Sequence, residues 1–308
     1  GAEANECMIK LARLWGHDEG RYEIICMKQS FHGRTLATAA ATGQAKVQKG
    51  FEPMPVGFVH AEYNNLESVK ALVSEKTVAV MLEAVQGEGG IIPADPDFMN
   101  GVRALCDEKN LLMLCDEVQC GMGRTGKWFG FQGFDVQPDA FSLAKGLGNG
   151  FPIGAIVAGK KLADIFQPGH HATTFGGTPL ACAAALSVVE VIEEEDLLAN
   201  TMMMGAYLVE GLCEVAMKHK KWISGIRGLG LLLGMVLDVP AAPLQKKLQE
   251  KGMLALATAG HVLRLLPPLN VSQEEIDRAL KLIGEACAEL HDEMAALSPN
   301  PCQCGMER

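Results

Sequence analysis

The chain lacks the features that mark nucleic-acid-binding, secreted and membrane proteins. Its 27 Lys and Arg residues are outnumbered by 37 Asp and Glu residues, and the net charge of -10 argues against a phosphate-binding surface. No apolar run approaches the length that crosses a bilayer, and the most apolar stretch, Leu229 to Leu237, is only as long as a strand. The ten cysteines show no paired framework, which favours a reducing, cytoplasmic location over secretion.

The composition is that of a globular protein. The chain has 308 residues, of which 48% are hydrophobic and 21% charged, enough for one large domain or two ordinary ones. We expect no signal peptide in these residues, and the chain opens on Gly1 inside what reads as a motif rather than on an initiator methionine. We therefore expect the sequence to be incomplete at its N-terminus.

Strand and helix patterns alternate over the first two thirds of the chain, which predicts an α/β fold with a mainly parallel sheet and helices on both faces. A helix should also begin at Thr178-Pro179, and residues 180–192 are apolar on nearly every side, so we expect this helix to be buried. We expect strands at 22–27, 56–60, 77–82, 111–115, 140–144 and 151–159, and helices at 1–16, 66–74, 98–110 and 200–218.

A smaller α+β unit follows from Trp222. It should contain strands at 231–237, 253–256 and 262–266, and helices at 243–251 and 272–289, the second capped by Ser272 with Glu275. We predict a large cofactor-binding domain at 1–200, a small domain at 201–291 and a disordered tail at 292–308. Cys302 and Cys304 in that tail are too few for a zinc site.

The stretch from Asp139 to Gly150 combines a buried strand with a glycine loop. Its apolar run ends at Lys145, which places one amine at the edge of the sheet where parallel α/β folds bind their ligands. A poorly hydrated amine at that edge is a nucleophile, and its natural use is an imine with an aldehyde cofactor. The alternative interpretation is a solvated lysine in a loop.

Two carboxylates stand at the ends of neighbouring predicted strands. Glu83 and Asp116 should point into the same crevice as Lys145. An aromatic aldehyde such as pyridoxal phosphate needs a lysine, an acid against its ring nitrogen, a phosphate cup and a flat group on the ring face. Asp116 suits the ring nitrogen, the helix start at Gly1 and Ala2 suits the phosphate, and Phe31 suits the ring face.

Six sequence words carry a resemblance over nearly the whole chain, from Gly1 to about Leu290. On these words the sequence resembles a class III (subgroup II) pyridoxal-phosphate aminotransferase of fold type I, and within that class the acetylornithine group. The resemblance implies transfer of the ω-amine of N-acetylornithine, or an ornithine-like donor, to 2-oxoglutarate in arginine biosynthesis. The words are GAEANE at 1–6, FHGRT at 31–35, QGEGG at 86–90, CDEVQCGMGRTGKWF at 115–129, SLAKGLGNGFPIGA at 142–155 and TTFGGTPLA at 173–181.

The resemblance also implies roles for the residues that bind the cofactor. Lys145 would hold pyridoxal phosphate covalently and later shuttle a proton, and Asp116 would pair with the pyridine nitrogen. Thr174 would reach the phosphate in the neighbouring subunit, which implies a homodimer. Phe31 and Val118 would contact the two faces of the cofactor ring. Gln119 would contact the phenolic oxygen, and Gly1 and Ala2 would contact the phosphate.

Substrate contacts follow from the same resemblance. Arg34, Thr173 and Glu83 would contact the substrate, and Arg264 would receive the α-carboxylate of the keto acid. Glu88 would neutralise Arg264 while the amino donor is bound and would leave when glutamate brings its own carboxylate. The alternative interpretation of Arg264 is an ordinary salt bridge at a strand edge.

Three positions depart from the usual pattern of the family. Ala84 stands in place of proline, Asn149 in place of glycine and Thr178 in place of asparagine, and Asn149 is expected to alter the path of the loop after Lys145. Residues that the family has before Gly1 include a serine of the phosphate cup, one wall of the substrate pocket and part of the dimer contact. The chain as given is therefore expected to be inactive or unstable.

Other functions stay open from the sequence alone. Other class III reactions include aminotransferases that use ornithine, succinylornithine, succinyldiaminopimelate or lysine derivatives, and aminomutases. The glycine pairs at 146–148 and 228–230 are the basis for a second hypothesis, a nicotinamide-binding oxidoreductase. Neither pair gives the full dinucleotide fingerprint. A cofactor-free scaffold or inactive fragment is opposed by the joint presence of Lys145, Asp116 and Gln119.

Overall fold

A computed structural model describes residues 1–297 of the chain. Residues 298–308, with Cys302 and Cys304, lie outside the described residues, so the prediction made for them is not addressed. No helix in the described part is long and apolar enough to cross a membrane.

A six-stranded sheet forms the centre of the first two thirds. Its strands lie in the order β2-β1-β3-β6-β7-β8, and all neighbours are parallel except β7 and β8. A short hairpin of β4 and β5 follows β3. The strands are β1 (Glu23–Met27), β2 (Phe58–Ala61), β3 (Thr77–Leu82), β4 (Val85–Gln86), β5 (Ile92–Pro93), β6 (Leu112–Asp116), β7 (Ala140–Leu143) and β8 (Ala155–Ala158). The predicted, mostly parallel sheet is confirmed.

Side chains from alternate positions of each strand enter two different cores, because successive residues of a strand point to opposite faces. Ile24 and Met81 pack with helix α1 on one face, whereas Ile25 and Val80 pack with helix α5 on the other. Both faces are therefore covered, as predicted. The helices of this part are α1 (Ala2–Trp15), α2 (Leu36–Ala41), α3 (Ala45–Gln48), α4 (Leu66–Leu72) and α5 (Pro96–Glu108).

The expectation of a buried helix after Thr178-Pro179 is wrong. Helix α6 (Pro179–Glu194) forms, but only Ala181 and Ile192 are buried, and Leu180 is 66% exposed. A helix that is apolar on every side favours burial, but its sequence does not show which neighbour would cover it. The face of α6 that carries Leu180 is not covered by any part of the described chain. The Thr178 side chain also makes no capping hydrogen bond. Helix α7 (Leu197–Lys218) follows and spans the predicted domain boundary at residue 200, which stays a prediction.

An antiparallel sheet of four strands, in the order β11-β12-β10-β9, lies in the last third. Strand β9 was not predicted, because its glycines at 225 and 228 hide the strand pattern, and β11 lies later than expected. The capping pair at Ser272 and Glu275 is confirmed by reciprocal hydrogen bonds of 2.9 and 3.3 Å. The elements are β9 (Ile223–Leu229), β10 (Leu232–Leu237), α8 (Ala242–Glu250), β11 (Leu256–Thr258), β12 (Val262–Leu265) and α9 (Gln273–Leu297). Helix α9 reaches past the start of the segment 292–308 that we expected to be disordered.

Candidate active site

Three parallel strands bring the predicted chemical groups to one edge of the sheet. Strand β3 ends just before Glu83, β6 ends at Asp116, and β7 ends two residues before Lys145. The register pairs Leu82 with Cys115 and Asp116 with Ser142, so the three strand ends are level. The three groups are therefore brought to one edge of the sheet, as expected.

Asp116 is buried and surrounded by donors. Its Oδ2 accepts hydrogen bonds from Asn5 Nδ2 at 2.7 Å and from His32 Nδ1 at 2.8 Å, and its Oδ1 accepts one from Val118 N at 3.0 Å. Burial opposes the charge, but the hydrogen bond and charge of His32 prevail and hold the pKa of Asp116 below its usual range. The carboxylate is therefore kept ionised at this edge.

His32 and Asn5 are site residues that the sequence reasoning did not select. The His32 ring is fully buried; burial lowers its pKa, but the bond to Asp116 outweighs this and raises it. Asn5 also donates to His32 O at 2.8 Å, which ties α1 to the loop that carries His32. Both residues stand inside motifs that carried the resemblance, yet only distance in the fold reveals that they meet Asp116.

Lys145 lies in a short 3₁₀ turn with a left-handed φ of 40°, a conformation that a side chain adopts only under constraint. The expectation of a poorly hydrated amine is wrong for the single chain, because the residue is exposed. Two cavities of about 700 and 830 Å³ meet at Lys145, and both give it access to solvent. Asn149 has φ 44°, so asparagine occupies a left-handed position that glycine would adopt more easily.

The start of α1 approaches the same group. Gly1 contacts Val118 so closely that a Cβ on Gly1 would lie 2.9 Å from the Val118 Cγ1. Val118 in turn donates its backbone N–H to Asp116, and Gly1 lines the 830 Å³ cavity together with Lys145. Ala2 is half-buried in the first turn of α1.

Glu83 connects two loops through its buried carboxylate. Its Oε1 accepts a hydrogen bond from Phe31 N and its Oε2 one from Gly87 N, both at 3.1 Å. Burial raises the pKa of Glu83 to about 7, although the positive charge of His32 opposes this. Phe31 is half-buried, and the Arg34 guanidinium lies 5.4 Å from the centre of its ring, exposed to solvent.

Glu88 and Arg264 form the ion pair that the resemblance implied. Glu88 Oε1 lies 2.7 Å from Arg264 Nη1, and the Arg264 side chain is 7% exposed against 36% for Glu88. The same nitrogen lies 3.4 Å from Gln119 Oε1, and all three side chains line the 700 Å³ cavity with Lys145. The pair is therefore at the site and not at an unrelated strand edge.

The loop of residues 171–177 borders the second cavity. Thr173 lines it together with Gly1 and Lys145, and the adjacent Thr174 is exposed. Lys10 of α1 donates to the carbonyl of His170 at 2.9 Å, so this loop is attached to the helix that begins at Gly1.

Known proteins resemble the chain over nearly all of its length. The class-III aminotransferase family matches residues 1–287. The chain is 48% identical over 294 residues to an acetylornithine aminotransferase of Gloeobacter violaceus, covering 94% of this chain and 73% of that one. It is also 48% identical over 295 residues to the acetylornithine aminotransferase of Methanocaldococcus jannaschii, again covering 94% of this chain and 73% of that one. The ornithine aminotransferase of Toxoplasma gondii superposes with a TM-score of 0.90 at 31% identity, over 95% of this chain and 72% of that chain.

The expected α/β architecture of fold type I and the match of family, sequence and fold agree. The chain belongs to the class-III aminotransferase family.

Proposed function

We propose that the protein transfers the ω-amino group of N-acetylornithine to 2-oxoglutarate, using pyridoxal phosphate held on Lys145. Relatives that carry the name acetylornithine aminotransferase share nearly half of its residues over 92% to 94% of the chain. The observation that carries the proposal is the Glu88–Arg264 pair in the cavity of Lys145, because the Arg264 cation can be paired with Glu88 or left free for a substrate carboxylate.

The residues present fit pyridoxal phosphate. An ionised, buried Asp116 suits a protonated ring nitrogen, and Gly1 offers an N-terminal helix end without a side chain in the way. Val118 and Phe31 would contact the two faces of the ring, and Gln119 would donate to the phenolic oxygen. When bound, the cofactor supplies an aldehyde that carries the amino group and a ring that stabilises charge on the reacting carbon.

Lys145 then has two tasks. Its amine would hold the cofactor, and when it is free it would act as the base and acid that moves the proton at the reacting carbon of the donor. Its exposure between two cavities leaves the side chain room to move between these positions.

Arg264 and Glu88 account for two unlike substrates in one cavity. N-acetylornithine brings an ω-ammonium to Lys145, and with Glu88 on Arg264 no unpaired cation opposes it. The dicarboxylate keto acid replaces Glu88 on Arg264 with its own carboxylate. Arg34 and Thr173 are proposed for the other end of either substrate, and Glu83 supports the loops of Phe31 and Gly87 from below.

Assembly and location are also proposals. A homodimer in which Thr174 meets the neighbour's cofactor phosphate is supported by the exposure of Thr174 and of the apolar face of α6. A cytoplasmic location is supported by the eight described cysteines, all of which are free thiols. The division into domains at 1–200 and 201–291 is supported by a separate core between Leu208 and Leu290.

A panel of amino donors on the holoenzyme tests the reaction. N-acetylornithine should convert the bound cofactor to its aminated form faster than ornithine, succinylornithine or diaminopimelate derivatives, and 2-oxoglutarate should restore it. Borohydride treatment followed by peptide mass analysis should place the cofactor on Lys145, and Lys145→Ala should abolish this adduct. If another donor reacts faster, the proposed substrate is wrong. If the cofactor is found on a residue other than Lys145, the proposed active site is wrong.

Arg264→Gln and Glu88→Gln test the pair directly. Arg264→Gln should raise the dissociation constant of 2-oxoglutarate by about 100-fold, the typical loss of a charged bidentate contact. The dissociation constant of the amino donor should rise by far less. Glu88→Gln should weaken the binding of the amino donor and strengthen the binding of 2-oxoglutarate, because the competitor for Arg264 has lost its charge. Equal losses for both substrates in either variant would contradict a role as an exchangeable pair.

A further inference from the structure

The loop that carries Glu88 is held on its backbone by side chains of the antiparallel sheet. Thr258 Oγ1, on β11, donates to the Glu88 carbonyl at 2.8 Å. Arg227, on β9, donates from Nε and Nη2 to the Gly90 carbonyl at 2.9 and 2.6 Å. Arg264, on β12, also reaches the Gly87 carbonyl at 3.3 Å. Three successive parts of the loop are therefore anchored on one surface.

The opposite side of the loop is equally close-packed. A Cβ on Gly87 would lie 1.8 Å from Gln119 Oε1, and one on Gly89 would lie 2.7 Å from the Gln29 carbonyl. The ends of the loop belong to the β4–β5 hairpin, in which Gln86 pairs with Ile92. Because the backbone is bounded on both sides, it has little room to shift.

Resting on the proposed function, we infer that Thr258 is a positioning residue for the exchange of Glu88 on Arg264. In this exchange the Glu88 carboxylate moves by rotation about its side-chain bonds, while Thr258 holds the Glu88 backbone in position. Thr258 is 6% exposed and touches neither Lys145 nor Arg264 by a hydrogen bond in the described structure, so it acts through Glu88.

This arrangement predicts opposite effects on the two substrates. Without the Thr258 hydroxyl the backbone of Glu88 is less well placed, so Glu88 competes less well for Arg264. A dicarboxylate should then bind more tightly, and a donor that needs Arg264 neutralised should bind more weakly. The loss of a side chain that merely supported the fold would weaken both.

Thr258→Val, which keeps the shape of the side chain, is the test, measured on the holoenzyme. Glutarate, a five-carbon dicarboxylate that cannot react, should bind about three- to tenfold more tightly by calorimetry, as expected for one lost hydrogen bond. The KM for N-acetylornithine should rise by a similar factor. Thr258→Ser should restore both values, and Ser224→Ala, which removes a hydroxyl-to-carbonyl contact at the far end of β9, should change neither.

A double variant separates positioning from simple loss of structure. In a Glu88→Gln background, Thr258→Val should have no further effect on glutarate binding, because the group through which it acts has lost its charge. Weaker binding of both ligands, or an effect that persists in that background, would overturn the inference. If the wild type fails to bind glutarate or to accept N-acetylornithine, the proposed function fails instead. If Thr258→Val melts too low to assay, the same comparison is made with Thr258→Ala, which also lacks the hydroxyl and whose values should shift in the same two directions; values equal to the wild type would count against the inference.

Discussion

His32 Nδ1 lies 2.8 Å from Asp116 Oδ2, and neither side chain has appreciable contact with solvent. A buried carboxylate without this donor would lose a charge-assisted hydrogen bond and its counter-charge together. His32 therefore helps to keep Asp116 ionised, and under the proposed function Asp116 would in turn keep the pyridine nitrogen of the cofactor protonated.

Replacing His32 should consequently weaken the binding of the cofactor. His32→Leu removes the donor and should raise the dissociation constant for pyridoxal phosphate by about 10-fold or more, since a charge-assisted hydrogen bond contributes about 1.5–3 kcal/mol. His32→Asn offers an amide donor near the position of Nδ1 and should lose less. Fluorescence titration of the apoenzyme measures both, and equal affinity of both variants and the wild type would contradict the role.

Glu117 should make stability depend on pH. It is 1% exposed, and burial raises its pKa to about 8, although Gly130 N and Phe131 N donate to its oxygens at 2.7 and 3.0 Å. Since the folded pKa lies above the unfolded value of 4.5, the stabilisation of the protonated acid is complete below pH 4.5 and is lost as pH rises through 8. Glu117→Gln cannot titrate.

The free energy of unfolding of the wild type, relative to Glu117→Gln, should therefore fall between pH 4.5 and about 8, on the order of 1 kcal/mol per pH unit, and level off above that. Urea unfolding at a series of pH values provides the measurement. A constant difference across this window would show that the carboxyl is ionised throughout.

Gly87 and Gly284 form a matched pair of glycines. Gly87→Ala would place a methyl group on Gln119 Oε1, so Gln119 should be displaced and the turnover number should fall about 10-fold or more. Gly284, inside α9, has open space at its Cβ position, so Gly284→Ala should raise stability by about 0.5–1 kcal/mol without changing activity. Thermal unfolding and initial rates report both, and similar behaviour of the two variants would contradict the close approach at Gly87.

Shared sites in a homodimer should allow two inactive variants to complement each other. Lys145→Ala lacks the amine, and Thr174→Val lacks the hydroxyl proposed for the neighbour's phosphate. Mixed dimers contain one site with both residues intact, so refolding the variants together should recover up to about one quarter of the wild-type rate, from random pairing of subunits. Recovery near the sum of the separate variants would argue against shared sites.

Local patterns in the sequence predict most of the architecture. Continuous apolar runs such as 77–82 and 111–115 predicted buried parallel strands, because such strands face helices on both sides. It also placed Glu83, Asp116 and Lys145 at strand ends, and thus at one edge. It could not show β9, where glycines interrupt the pattern, or that α6 leaves an apolar face uncovered.

Which side chains meet one another depends on the folded chain. Asn5, His32 and Asp116 are far apart in sequence, and Glu88 is far from both Thr258 and Arg264; hydrogen bonds between such residues depend on three-dimensional register, which no local pattern encodes. The hydration of Lys145 is also decided by the shape of two cavities around it. Local propensity determines which elements form, whereas distance and burial, which exist only in the folded chain, determine the electrostatics of the site.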